Sequence, residues 1–275
     1  MIRKRDCCRI GLIGCGAIGR PVAEAILSRH VGDAGLVAVL VRDVSKHREW
    51  VNRWDVALTD DADAFFACDF DLLVEAAGHA AVRQFVRRGL EKGADVLVTS
   101  IGAFADDAFY DEIRTLAAMK GRRLLLASGA LPAVDWMQSA SLAKVHSVTI
   151  TQTKPVASWR GTAAERMVDL DALTDATCFF TGSARESAST FAKSSNITAM
   201  LALSTIGMDA TQVRLAADPT ATAMHTSVAF KGEAGEVSVE WRGVPSESNP
   251  STSADVPLSV IKAIRNLASP VWLGV

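Results

Sequence analysis

The feature that most constrains the fold is an apolar strand that runs directly into the pattern G-x-G-x-x-G. The strand begins at about Cys8, and the three glycines are Gly14, Gly16 and Gly19. In such a turn the first glycine permits a sharp bend, the second lets the backbone approach a pyrophosphate, and the third lets the next helix pack closely. The helix expected from Arg20 to about His30 presents free N–H groups and a positive dipole end to the phosphates. The pattern predicts a dinucleotide site, with a merely tight strand-to-helix turn as the alternative.

The first 130 residues alternate apolar strands with helical segments. Continuous apolar runs are typical of parallel strands that are buried on both faces. The alternation therefore predicts an α/β domain over residues 1–130, with a doubly wound Rossmann-type parallel sheet. After the glycine turn, the predicted strands lie within Gly35–Asp43, Phe70–Gly78, Ala94–Ser100 and Arg123–Ser128, and the predicted helices within Ala80–Lys92 and Asp106–Met119.

Small or polar residues follow each of the predicted parallel strands. Ligands of open α/β sheets bind beyond the carboxyl ends of the strands, so these segments are expected to form one edge of a cofactor site. The candidate cofactor-binding residues at this edge are Gly14, Gly16, Ala17, Ile18, Gly19, Arg42, Ala77, Gly78, Ser100 and Gly102.

The second strand ends in Arg42 and Asp43, which bear on the choice of cofactor. An acid at this position holds the ribose 2′-hydroxyl of NAD, whereas an arginine suits the 2′-phosphate of NADP. We expect both NAD and NADP to be used, with the use of NADP depending on Arg42. The alternative is that either side chain points into water.

The pattern changes after residue 130, from continuous apolar runs to alternation with a period of two. Such alternation occurs in His146–Thr153, Met224–Phe230 and Gly235–Trp241 and is typical of a sheet with one covered face. A helix is expected from Ala192 to Ile206. Residues 131–253 are therefore predicted to form a second, α+β domain with a mixed or antiparallel sheet. Residues 246–253 read as a polar loop, and a C-terminal helix lies within residues 254–275.

Composition excludes several functional classes. The chain has 275 residues, 49% of them hydrophobic and 22% charged, and a formal net charge of −2, so nothing favours binding to nucleic acid or to an anionic membrane. No run approaches the roughly 20 apolar residues of a membrane span. The five cysteines show neither metal-type spacing nor the pairing of a disulfide framework. We expect no metal site and a reducing, cytoplasmic location.

Five short blocks in the second half occur in a characteristic order and extend the glycine turn to a resemblance over nearly the whole chain. The chain resembles the L-aspartate dehydrogenase family, which is similar in build to the homoserine dehydrogenases. The blocks are Ser128–Asp135, Gly182–Glu186, Phe191–Asn196, Ala217–Pro219 followed by His225, and Asn249–Ser253.

The resemblance implies NAD(P)-dependent oxidative deamination of L-aspartate to iminoaspartate, which feeds NAD biosynthesis or hydrolyses to oxaloacetate and ammonia, and the reverse reductive amination. It also implies that Ala130 and Asn196 contact the cofactor and that His225 is the active-site histidine. A homodimer is expected, with the final helix packed on the nucleotide domain. The sequence departs from the family pattern at Pro132–Ala133, at Ala192 and at Ala223.

The reaction also restricts the residue types that can take part. A histidine is the natural acid or base near neutral pH, and the remaining choice beside His225 is His79. A dicarboxylate amino acid needs cationic partners when it is desolvated. Lys154 and Lys193 are the favoured carboxylate anchors, and a solvated face is the alternative for either lysine. The further cation candidates are Arg160 and Arg185.

The sequence is also compatible with two other functions. One is a related NAD(P)-dependent dehydrogenase or reductase that acts on homoserine or a cyclic imine. The other is a cofactor-binding sensor without catalytic activity.

Overall fold

The computed structural model describes residues 8–246 and 248–273, apart from the side chains of Lys193, Pro250 and Ser251. Contacts divide the chain into two compact units. The first unit comprises Met1–Gly129 with Val256–Val275, and the second comprises Ala130–Asp255.

The first unit is built on a six-stranded sheet in the order β3-β2-β1-β4-β5-β6, and every neighbouring pair is parallel. This is the strand order of a doubly wound dinucleotide-binding sheet, so the predicted fold is confirmed. The three-residue strand β3 escaped prediction because it is short and lies at the edge of the sheet. The strands are β1 (Cys8–Ile13), β2 (Ala34–Leu40), β3 (Ala57–Thr59), β4 (Leu72–Glu75), β5 (Asp95–Val98) and β6 (Leu124–Leu126).

Helices connect these strands, and local sequence explains where several of them start and stop. The helix after β5 is capped by Asp106, the residue before its first turn, whose carboxylate accepts a hydrogen bond from the Phe109 N–H. The helix before β5 is followed by its C-cap Gly93, which has a φ of 91°. The helices are α1 (Gly19–Leu27), α2 (Arg48–Val51), α3 (Ala62–Ala67), α4 (His79–Lys92) and α5 (Asp107–Met119).

The second unit contains a five-stranded mixed sheet in the order β11-β10-β7-β9-β8. The pair β7 and β9 is parallel, and the other neighbouring pairs are antiparallel. The three alternating segments seen in the sequence correspond to β7, β10 and β11, whereas β8 and β9 were not predicted. The elements are α6 (Val134–Ala140), β7 (Val145–Pro155), β8 (Thr177–Ser183), α7 (Ala184–Thr190), α8 (Asn196–Ser204), β9 (Gln212–Asp218), β10 (His225–Gly232), β11 (Gly235–Arg242), β12 (Pro245–Ser246) and β13 (Asn249–Ser253).

Two sequence predictions about the second unit were wrong in detail. The helix expected from Ala192 begins only at Asn196, because the segment before it forms a separate 3-10 turn. The Ser195 hydroxyl donates to the Ala192 carbonyl at 2.7 Å and so competes with the helical hydrogen bond. Residues 246–253 are not simply a loop, since β12 pairs with β13 in a short antiparallel ladder.

Helix α9 (Val256–Ala268) belongs to the first unit. Its buried residues Val260 and Ile264 join the same hydrophobic core as Val22 and Ile26 of α1. None of the helices in the described part of the chain is long and apolar enough to cross a bilayer.

Candidate active site

The glycine turn after β1 has the geometry of a pyrophosphate cradle. Gly14 has a φ of 92°, and a Cβ there would lie 2.5 Å from the Ala76 carbonyl oxygen. A Cβ at Gly19 would clash with the Gly14 carbonyl oxygen, whereas a Cβ at Gly16 would meet no heavy atom within 4 Å. The first and third glycines therefore serve the packing of the turn, and the second leaves open space in front of the backbone. A dinucleotide pyrophosphate fits this space.

The start of α1 supports the same assignment. Its N-cap residue, Ile18, makes no side-chain cap, and the first turn carries no acidic residue. The positive end of the helix dipole is therefore not compensated within the helix itself. Ala17 and Ile18 are half-buried, and Cys15 is buried in the same turn. Burial raises the pKa of the Cys15 thiol to about 11, which keeps it protonated at neutral pH.

The residues after β2 differ in how far they are already engaged. Arg42 is exposed. Asp43 caps the turn that follows: its Oδ1 accepts hydrogen bonds from the Ser45 N–H at 3.0 Å and the Ser45 hydroxyl at 2.6 Å. Its Oδ2 lies 3.5 Å from the Lys46 ammonium. The hydrogen bonds from Ser45, with the nearby Lys46 charge, lower the pKa of Asp43. The guanidinium of Arg42 is thus the more available of the two groups for a cofactor ribose.

The segments after β4 and β5 are joined by a residue that the sequence analysis missed. Ala77, Gly78 and Ser100 all donate hydrogen bonds to the side chain of Glu75, the last residue of β4. Gly102 is buried in the 3-10 turn Ile101–Ala105. In the sequence Glu75 looks like an ordinary strand residue. Its hydrogen-bond partners after β5, Thr99 and Ser100, are more than 20 positions away along the chain.

The second unit holds a cavity of about 530 Å³ that we call the cationic cavity. Two of its lining residues, Lys154 and Arg166, are cations, and none of the described lining residues is acidic. Such a lining favours an anionic ligand. The lining residues are Lys154, Pro155, Ala157, Ser158, Trp159, Gly161, Thr162, Ala163, Arg166, Thr190, Phe191, Ala192, Ser194, Thr222, Ala223, Met224, Gly243, Val244, Pro245, Thr252 and Ser253.

Lys154 lies near the end of β7, and its ammonium contacts neutral groups. Its Nζ donates to the Ser194 hydroxyl at 2.7 Å and lies 4.9 Å from the centre of the Trp159 ring. The ring is fixed in turn, because its Nε1–H donates to the Ala216 carbonyl at 3.0 Å. Among the described residues, no carboxylate forms an ion pair with Lys154. Burial without a counter-charge lowers the pKa of Lys154 to about 8.

The remaining predicted cations differ from Lys154. Arg160 forms an ion pair with Asp171, and Arg185 forms one with Asp209 at 2.6 Å, so both already bind carboxylates of their own unit. The side chain of Lys193 lies outside the described residues, and its backbone belongs to the turn before α8. Arg166, which the sequence analysis did not consider, is exposed and lines the cationic cavity.

His225 is the first residue of β10 and pairs with Thr153 of β7. Cross-strand partners share a face and neighbours along a strand alternate, so the imidazole and the Lys154 side chain lie on opposite faces. The imidazole is 38% exposed, and its Nε2 lies 3.6 Å from a carboxylate oxygen of Glu240. His225 directly follows Thr222–Met224, which lines the cationic cavity. The imidazole thus lies at the same end of the sheet as the cavity.

The other predicted residues are distributed between both units. Ala130 is buried at the start of the second unit, and Asn196 is half-buried at the start of α8. His79 opens α4 of the first unit and is half-buried. Within residues 8–246 and 248–273, no cluster of three or more metal-ligating side chains occurs.

The glycine turn, the parallel strand order and the uncapped helix α1 define a dinucleotide-binding dehydrogenase fold. Family models agree: "Homoserine dehydrogenase, NAD binding domain" matches residues 14–127, and "Aspartate dehydrogenase, C-terminal" matches residues 135–267. The chain is 36% identical to L-aspartate dehydrogenase of Cupriavidus necator, with 95% of this chain and 98% of the relative covered. It is 31% identical to L-aspartate dehydrogenase of Methanococcus maripaludis, with 97% and 99% covered. The chain belongs to the L-aspartate dehydrogenase family.

Solved structures show the same fold at lower sequence identity. Aspartate dehydrogenase from Thermotoga maritima superposes with a TM-score of 0.73 at 20% identity, with 96% of this chain and 98% of that chain covered. A homoserine dehydrogenase from Thiobacillus denitrificans gives a TM-score of 0.58 at 15% identity, with 95% and 74% covered. The resemblance recognised in the sequence is confirmed, as is an NAD(P) cofactor for this oxidoreductase.

Replacement of Arg42 tests the basis of cofactor choice. We expect Arg42→Ala to lower kcat/KM with NADP by about 10- to 100-fold, because one charge-assisted phosphate contact contributes about 1.5–3 kcal/mol. The value with NAD should change by less than about threefold. Steady-state kinetics with both cofactors give the ratio of kcat/KM with NADP to kcat/KM with NAD. Lys120→Ala, which removes an exposed cation after α5, is the matched control. An equal loss with both cofactors would contradict the role of Arg42.

Proposed function

We propose that this protein catalyses the NAD(P)-dependent oxidative deamination of L-aspartate. The products are iminoaspartate and NAD(P)H with release of a proton, and iminoaspartate hydrolyses to oxaloacetate and ammonia. The reverse reaction is reductive amination of oxaloacetate. Bound NAD(P)+ supplies the hydride acceptor, so the residues of the chain need only bind, orient and exchange protons.

The lining charge of the cationic cavity is the observation that carries this proposal. A dicarboxylate loses its hydration when it is bound, and each carboxylate then needs a cation or several hydrogen-bond donors. Lys154 and Arg166 supply two cations, and seven lining residues carry hydroxyl groups. A buried ammonium without a carboxylate partner is costly by itself, and a bound carboxylate removes that cost. Homoserine and cyclic imines lack the second carboxylate, so the cavity favours aspartate over these substrates.

The roles of the individual residues follow from their chemistry. Lys154 anchors one substrate carboxylate, and Lys193 and Arg166 are the candidates for the other. His225 is the proposed residue for proton exchange with the substrate nitrogen and with the water that attacks the imine. Its imidazole does not line the cationic cavity and lies on the sheet face opposite Lys154, so this role requires the substrate nitrogen to extend past the end of β7 and β10. Ala130 and Asn196 are proposed cofactor contacts, as the family resemblance implies.

The family resemblance supports further proposals about location, assembly, metabolic role and domain organisation. The protein acts in the cytoplasm as a homodimer, and its iminoaspartate feeds NAD biosynthesis. Residues 1–130, with the C-terminal helix packed on them, form the dinucleotide-binding domain, and residues 131–253 form the substrate domain. The choice of substrate does not depend on any of these proposals.

Purified protein with L-aspartate and either NAD or NADP at alkaline pH tests the proposed activity. We expect nicotinamide reduction with L-aspartate and at least about tenfold lower kcat/KM with L-homoserine, because homoserine lacks the second carboxylate and leaves a cation of the cavity without its partner. Absorbance at the wavelength of reduced nicotinamide measures both rates. Turnover of homoserine or a cyclic imine without turnover of aspartate would contradict the assignment. Cofactor binding with no turnover of any amino acid would favour the sensor.

His225→Ala tests the proton-transfer role. We expect kcat to fall by about 10²-fold or more while the cofactor dissociation constant stays within about twofold, because general acid–base catalysis contributes on this scale. His146→Ala is the matched control, since His146 is exposed near the start of β7 of the same unit. A comparable loss in His79→Ala with normal turnover in His225→Ala would transfer the role to His79.

The lowered pKa of Lys154 predicts how dicarboxylate binding depends on pH. Burial lowers the pKa to about 8, and a bound carboxylate stabilises the charged ammonium and raises the pKa. Binding therefore takes up a proton above about pH 8, and the competitive inhibition constant of succinate should rise with pH from there. Succinate itself does not titrate between pH 7 and 10.

Lys154→Arg provides the control for this pH dependence. A guanidinium stays charged throughout this range, so the inhibition constant in the variant should be independent of pH between 7 and 10. Lys154→Met should weaken succinate binding by about tenfold or more at pH 7. The same pH profile in the wild type and in Lys154→Arg would show that another group titrates.

A further inference from the structure

Glu75 is a carboxylate buried at the end of β4, with a relative exposure of 0%. Glutamate is almost never fully buried unless it has partners, because desolvation of a carboxylate without hydrogen bonds is very unfavourable. Neither the family resemblance nor the chemistry assigned to the substrate gives this residue a role. Its position at the carboxyl edge of the parallel sheet places it next to the segments that are expected to hold the cofactor.

The hydrogen bonds of Glu75 connect two separate segments. Its Oε1 accepts from the backbone N–H of Ala77 at 2.7 Å and of Gly78 at 2.8 Å, and from the Ser100 hydroxyl at 2.9 Å. Its Oε2 accepts from the backbone N–H of Ser100 at 3.1 Å and of Thr99 at 3.3 Å. One side chain therefore holds the residues after β4 and the residues after β5 at a fixed spacing.

The segment after β4 also forms one wall of the glycine turn. The Ala76 N–H donates to the Ile13 carbonyl at 2.8 Å, and the Ala76 carbonyl oxygen occupies the space beside Gly14. Gly78 has a φ of 112° and a ψ of 170°, a conformation that glycine adopts far more readily than other residues. The bond from Gly78 to Glu75 helps to hold this conformation. A shift of the segment would therefore also move the wall of the pyrophosphate cradle.

We propose that Glu75 is a positioning residue for NAD(P) binding. Its carboxylate holds Ala76–Gly78 and Thr99–Ser100 in the arrangement that receives the cofactor, and it does so from beneath the site without touching the cofactor. Because both segments are held before binding, their ordering does not have to occur when the cofactor binds. The competing explanation is a buried carboxylate that serves only the stability of the sheet.

Glu75→Gln separates these explanations, since it keeps the shape of the side chain. Its amide nitrogen is a donor and would face backbone N–H donors, so one of the two segments loses its acceptor. We expect the dissociation constants of NADPH and NADH, measured by fluorescence titration, to rise about tenfold or more. The inhibition constant of succinate at saturating cofactor should stay within about twofold, because the cationic cavity belongs to the other unit. Cofactor binding is measured directly, so the result does not depend on the identity of the substrate.

Val74→Ala is the matched control, because Val74 is a fully buried neighbour in β4 whose side chain accepts no hydrogen bond. It should destabilise the same sheet while cofactor dissociation constants change by less than about threefold. Hydrogen exchange supplies a second readout: amides in residues 76–80 and 98–102 should exchange faster in Glu75→Gln than in the control. If Glu75→Gln does not fold, Glu75→Asp is measured in its place, since it keeps the charge but is too short to reach both segments.

Two results would overturn the proposal. One is equal weakening of cofactor binding in the Glu75 variant and in Val74→Ala, which would mark a purely structural role. The other is a change of less than twofold in the cofactor dissociation constants of a folded Glu75 variant.

Discussion

The close approach of strand, turn and helix at the glycine motif is the constraint on which the first unit depends. The Gly14 carbonyl occupies the position that a Cβ at Gly19 would need, and the Ala76 carbonyl occupies the corresponding position beside Gly14. These contacts bring β1, β4 and α1 together closely enough for one edge of the sheet to serve one ligand. Helix α1 starts directly after this turn and has no acidic residue in its first turn, so the positive end of its dipole favours an anionic group there.

The sequence predicted the first unit well because its strands are buried on both faces. Continuous apolar runs identify such strands without knowledge of their partners, and only the three-residue edge strand β3 escaped. The second unit was harder to predict. β8 is half-exposed along most of its length and shows no clear alternation, and β13 is a run of polar residues that becomes a strand only through its pairing with β12. In both cases the deciding interaction is with a partner strand and leaves no local periodicity.

The candidate site shows the same division between local and distant signals. The carboxyl ends of the strands are visible in sequence, so Ala77, Gly78 and Ser100 could be proposed from their positions alone. Glu75 could not, because its role arises from hydrogen bonds to residues that are 24 and 25 positions away. Arg166 was missed for a related reason. It joins Lys154 only through a cavity that the folded second unit creates, and arginine on a short polar turn usually has no function beyond solvation.

The two units use opposite solutions to the problem of buried charge. In the first unit, the carboxylate of Glu75 is fully satisfied by donors of the chain, so it stabilises a fixed geometry and is not free to accept a further donor. In the second unit, the ammonium of Lys154 has a hydroxyl and an aromatic ring as partners but no carboxylate, so part of its interaction capacity remains unused.

An unfolded lysine titrates near 10.5, and burial lowers the pKa of Lys154 to about 8. The unfolded chain therefore binds more protons between these pH values, and the burial penalty on stability decreases as the pH rises through them. A bound carboxylate removes the same penalty at lower pH, because it supplies the missing counter-charge. The satisfied charge thus maintains structure, and the unsatisfied charge is the one that selects a ligand.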